Sequence, residues 1–149
     1  MDTEALINNI LKSLKAKGLV IPKKPTYSEE EMQFTRNLGE LSPEAIMEKY
    51  NIFVNLYSYA SVLAAAAATD LDACKRNLAL SEASYYNMSN AKTDTARKME
   101  MAVAASVIEA QESLTKAKAL FDMYKVLQDS YEKEMVLLSR QIIVLQSER

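Results

Sequence analysis

A chain of 149 residues, 49% hydrophobic and 26% charged with a net charge of −2, is one domain's worth of globular composition and not a disordered polymer. Without histidine it has no imidazole base, no Ser-His-Asp or Cys-His nucleophile, no histidine zinc site and no Glu-x-x-His di-iron motif. One cysteine excludes an internal disulfide or a cysteine-cluster metal site, and two glycines are too few for a phosphate-cradling loop, so neither cofactor nor metal is expected.

The first predicted element is a short amphipathic helix. Leu6, Ile7, Ile10, Leu11 and Leu14 fall at helical spacing, with the lysines mostly off that stripe. Gly18 is its expected stop, because glycine accepts a left-handed backbone without penalty. Residues 19–26 follow as an extended linker, since Pro22 and Pro25 cannot continue a helix. Five lysines (Lys12, Lys15, Lys17, Lys23, Lys24) against Asp2 and Glu4 make residues 1–26 a basic head of charge +3. These lysines are the candidate contacts for nucleic acid or a partner. Such a helix can dock on its own bundle, in the groove of a neighbouring subunit or partner, or on nucleic acid or a membrane surface.

Residues 27–149 form the second predicted unit. Its first stretch, 27–42, sets four glutamates against Arg36, a sum of −3. Ser28 with Glu31 reads as a capping box that opens a second short helix, ending near Gly39. Ser42 then caps a third, with Pro43 at the first helical position and Glu44 at the positive helix end.

From there to Arg149 no glycine or proline occurs, over 149 − 43 = 106 residues rich in Ala, Leu, Met, Glu and Lys. The weak point is 87–95, where Asn, Ser, Thr and Asp compete with the helical backbone. A turn belongs there, with Thr93 or Asp94 capping the next helix. The nearly equal arms, roughly 65–80 Å each at 1.5 Å per residue, make a long antiparallel hairpin. The expected fold is therefore all-α: a coiled-coil-like hairpin preceded by two short helices.

Both arms carry apolar residues at alternating spacings of three and four. Tyr50, Phe53, Tyr57, Ala64, Ala67 and Leu71 mark the first seam, and Tyr124, Tyr131, Leu138 and Ile142 the second. A flanking line accompanies each: Ile52, Leu56 and Leu63 on the first arm, Leu120, Leu127, Ile143 and Val144 on the second. One hairpin has one seam to bury, so the second lines need the short helices or another subunit, and a homo-oligomer is expected. The five alanines of 64–68 belong at the tightest helix crossing.

No residue set converges on catalysis. Three Ser-x-x-Lys tetrads (Ser89/Lys92, Ser113/Lys116, Ser130/Lys133) lack any oxyanion turn and read as exposed helix polar residues. Asp70 and Asp72, two apart on a helix, point about 200° apart and do not share an ion. Cys74, between Leu71 and Leu78, reads as a small buried hydrophobe. The seam tyrosines read as core rings with the hydroxyl at the edge, or as stacking platforms where Lys125 follows Tyr124 and Lys133 follows Tyr131. The acidic start and a longest apolar run of only 62–68 predict neither a secretory signal nor a membrane span. A lone thiol fits a reducing, cytoplasmic compartment.

The helix opening Leu41-Ser42-Pro43-Glu44 with Tyr50, Tyr57 and Tyr59, and the ending Leu137-Leu138-Ser139-Arg140-Gln141-Ile142, carry a resemblance over residues 41–149. The chain resembles small all-helical bacteriophage accessory proteins, the UvsY-type recombination mediators. That resemblance implies an oligomer in the host cytoplasm that binds single-stranded DNA and helps load a recombinase. The alternative expectation is a structural or scaffolding component of a phage particle or other assembly. Either role is non-enzymatic.

Overall fold

A computed structural model describes residues 3–148; the side chains of Leu6 and Ile7, part of the predicted first stripe, lie outside the described residues, as does Asp2. The described residues are all-helical, without a strand, and form a helical hairpin. Helix α1 is Thr3–Ala16, α2 is Pro43–Met88, α3 is Asp94–Ala102 and α4 is Ala105–Ser147, with a 3-10 turn at Leu38–Glu40.

Helix ends follow local chemistry. Gly18, at φ 81°, takes the left-handed position after α1. Its N–H reaches the Lys15 carbonyl at 3.0 Å and the Leu19 N–H reaches Leu14 at 3.2 Å, so two terminal carbonyls of the helix are satisfied. At α2 the Ser42 hydroxyl accepts from the Ala45 N–H at 3.2 Å, and Pro43, lacking an N–H, leaves none unpaired. Thr93 caps α3 by accepting from the Ala96 N–H at 3.2 Å.

Two details differ from the expectation. The Ser28 capping box forms, with reciprocal bonds to Glu31 at 2.7 and 3.2 Å, yet no α-helix follows; only the 3-10 turn around Gly39 is helical. The backbone there bonds to other elements instead. The Lys49 ammonium donates to the Gln33 carbonyl at 2.6 Å, and the Thr35 N–H donates to Glu134 at 2.8 Å. For so short a segment, those bonds outweigh a helix whose first turn is costly to nucleate. The second arm also begins twice. Val103, at φ −103° and ψ 2°, ends α3, and buried Ala104 starts α4 by accepting from both Val107 and Ile108.

The chain divides into two compact units. The first joins Leu11–Ala64 to Met123–Arg149. Its core is Ile46, Ile52, Phe53, Leu56 and Leu138, with Phe53, Ile46 and Leu138 fully buried. Phe53 lies between Phe34 (5.7 Å, stacked) and Tyr131 (6.0 Å, tilted). Tyr27, Met32, Leu38 and Leu41 pack over the same core, so the segment before α2 covers the Ile52–Leu56 line. The second unit joins Met1–Ile10 to Ala65–Asp122. Its buried residues are Ala66, Ala67, Asp70, Leu71, Ala104, Val107 and Ala117, most of them small. At its turn Tyr86 donates to Asp94 at 2.6 Å, Ser89 to Glu100 at 2.5 Å, and the Arg97 guanidinium to the Ala91 carbonyl at 2.9 Å.

Candidate interaction surfaces

The five lysines of the basic head are all exposed. Lys12 and Lys15 stand on the last turns of α1 and Lys17 just beyond it, while Leu11 and Leu14 of the same turns are half-buried. Lys23 and Lys24 lie on the extended linker, where they line a cavity of about 430 Å³ with Pro22, Pro25 and Tyr27. The Tyr27 hydroxyl accepts from Asn55 of α2 at 2.8 Å and holds the linker's end on that helix.

The predicted seam residues are inside. Phe53, Ala64, Ala67, Leu71 and Leu138 are buried, and Tyr50, Tyr57, Tyr124, Tyr131 and Ile142 are half-buried. Tyr50, Phe53, Tyr131, Leu138 and Ile142 share one core cluster. One seam tyrosine has its ring engaged: Tyr131 packs on Phe53. The cation beside Tyr124 is engaged too, since Lys125 donates to Gln128 at 3.0 Å and Gln128 to Ser61 at 3.1 Å.

The flanking line of α4 behaves differently from that of α2. Leu127, Ile143 and Val144 are exposed, together with Met123, Val126, Val136 and Leu137; Val126 and Ile143 keep 64% and 62% of their surface in solvent. The residues between them are Asp129, Glu132, Lys133 and Arg140, which frame a cavity of about 540 Å³ with Val136 and Leu137. More exposed large hydrophobic residues stand on α4 than on any other described helix.

Sequence reasoning missed Glu134. It is buried to 4% exposure and holds the Thr35 N–H. The available signal was its position on the Leu120–Leu127 line one heptad on, where a carboxylate needs a partner.

The polar groups weighed for chemistry stay apart. Ser113 and Ser130 give their hydroxyls to helix carbonyls at 3.0 and 2.8 Å, and Ser89 gives its to Glu100. Asp70 is buried and accepts from Cys74 Sγ at 3.8 Å, whereas Asp72 pairs with Lys75 at 3.8 Å on the solvent side. Burial, then the Asp70 charge and hydrogen bond, push the Cys74 thiol above its ordinary pKa. Among the described residues no three His, Cys, Asp or Glu side chains gather to hold a metal.

Helix α2 contains an 18-residue window of mean hydropathy 1.4, long and apolar enough to cross a membrane by length and composition. Counting unbroken apolar runs does not reveal it. Much of that helix packs inside the protein, as Phe53, Ala60, Ala64, Ala67 and Leu71 show, and a core helix passes the same test. Comparison with known proteins finds no matching family model, no matching curated protein and no matching solved structure.

Proposed function

We propose that this chain is a non-enzymatic interaction protein that works as a homo-oligomer and acts on complexes of single-stranded DNA with protein, as a recombination mediator does. The open apolar line of α4 carries the reading. It exposes Val126, Val136, Leu137, Ile143 and Val144 on one helix, more than scattered surface residues account for, and burial against another chain removes it from water. The DNA role draws on the exposed lysines at 12, 15, 17, 23 and 24. One subunit's basic head is a weak phosphate contact; repeated around an oligomer, such contacts reinforce one another.

The test is fluorescence anisotropy with a labelled single-stranded oligonucleotide. The oligomer binds at low salt, and its affinity falls steeply toward physiological salt as counterion release loses its drive. Reversing all five lysines to glutamate abolishes binding while circular dichroism stays helical. If the wild type fails to bind at low salt, the DNA role falls and a structural component of a larger assembly takes its place. Binding that survives the five reversals removes the basic head as the contact and moves it to the Tyr124–Lys133 stretch.

A further inference from the structure

The charges on the open side of α4 specify what can cover it. Three adjacent lines at heptad spacing run there: Val126, Lys133 and Arg140; Asp129, Val136 and Ile143; and Met123, Ser130, Leu137 and Val144. All are exposed except half-buried Ser130. Among the described residues the ion pairs are Asp72–Lys75 and Asp94–Lys98, and neither Asp129 nor Lys133 belongs to one.

A second copy laid antiparallel on this face is related by a two-fold axis across the helices, so the numbers of facing residues have a constant sum. With the axis level with Tyr131, residue 133 faces 129 and residue 126 faces 136. Both pairings are complementary, and symmetry makes each occur twice. A parallel arrangement instead sets Lys133 beside Lys133 and Asp129 beside Asp129, like charge on like. Glu132 lies toward the rim of the antiparallel contact, where solvent screens it.

We infer that α4 pairs with α4 of a second copy, antiparallel about an axis level with Tyr131, with Lys133 facing the partner's Asp129 and Val126 facing the partner's Val136. The inference rests on the self-association proposed above and gives it a register.

Charge exchange tests it on the full chain by sedimentation equilibrium. Lys133→Glu alone, or Asp129→Lys alone, sets like charges across the axis twice and raises the self-association Kd about tenfold. The double variant exchanges the charges and recovers the wild-type Kd. A second measurement uses Val126→Cys and Val136→Cys proteins, each also carrying Cys74→Ala. Oxidised together they give the mixed disulfide dimer; oxidised apart they do not, because like positions lie about 15 Å apart along the helices. Single variants that associate as wild type does, or a double variant that fails to recover, overturn the register and leave self-association standing. A wild type that stays monomeric at high micromolar concentration overturns the self-association itself.

Discussion

Cys74 shows how one side chain's surroundings set its chemistry. It stands one turn after buried Asp70, toward which its thiol points at 3.8 Å. Ionising the thiol would bring a second negative charge beside that carboxylate, in a site already short of water. The thiol pKa is raised for both reasons, so at any pH below it the reactive thiolate fraction is smaller than in a free cysteine. Alkylation by iodoacetamide near pH 8 is therefore slower in the native protein than in the urea-unfolded chain, and Asp70→Asn speeds the native reaction by removing the charge. Equal native rates for Asp70→Asn and wild type would sink this account. Glu134 is the contrasting case, a buried carboxylate that accepts a backbone N–H from a distant segment.

At the scale of elements, the alanine run sorts residues by face. Ala64, Ala66 and Ala67 are buried, at 4%, 2% and 1% exposure, while Ala65 is exposed. Ala67→Leu adds three carbons where no space exists and costs about 1–3 kcal/mol in urea denaturation. Ala65→Leu, two positions away and on the other side of the helix, stays within about 0.5 kcal/mol of wild type. Matching losses for the two would mean the run does not face a packed layer on one side. Element ends were legible in the sequence wherever the cause is local: Gly18 after α1, Ser42 and Pro43 before α2, and Thr93 before α3. The break at Val103–Ala104 was not, because no residue there disfavours helix and the inward turn of Ala104 is a tertiary event. The path of 27–41 was hidden for the same reason: the capping box formed, but Lys49 and Glu134 decided where the backbone went. The apolar lines were legible as lines. Which of them stays open depended on that path, since Tyr27, Met32, Leu38 and Leu41 pack against the core that holds Ile52 and Leu56, and no described segment covers Val126, Ile143 and Val144 on α4.

At the scale of the whole molecule, the proposed self-association predicts that stability depends on concentration. A species that assembles only when folded is stabilised by mass action, so the thermal midpoint rises with protein concentration. Calorimetry across a hundredfold concentration range, about 2.7 kcal/mol of linkage at most for one contact, reads this directly. Lys133→Glu flattens the dependence, and a midpoint of the wild type that does not move with concentration means the native protein gains nothing from assembly.

The clasp of Gln33 and Thr35 also orders events in time. Its two bonds draw on Lys49 of α2 and on Glu134, 99 residues away from Thr35 along the chain. The Lys49 bond spans only 16 residues and needs α2 alone, whereas the Thr35–Glu134 bond must bring α4 to the same place, and closing so long a loop early is entropically unfavourable. In refolding, the Gln33 half of the clasp is therefore expected to form with α2, and the Thr35 half only once α4 has packed.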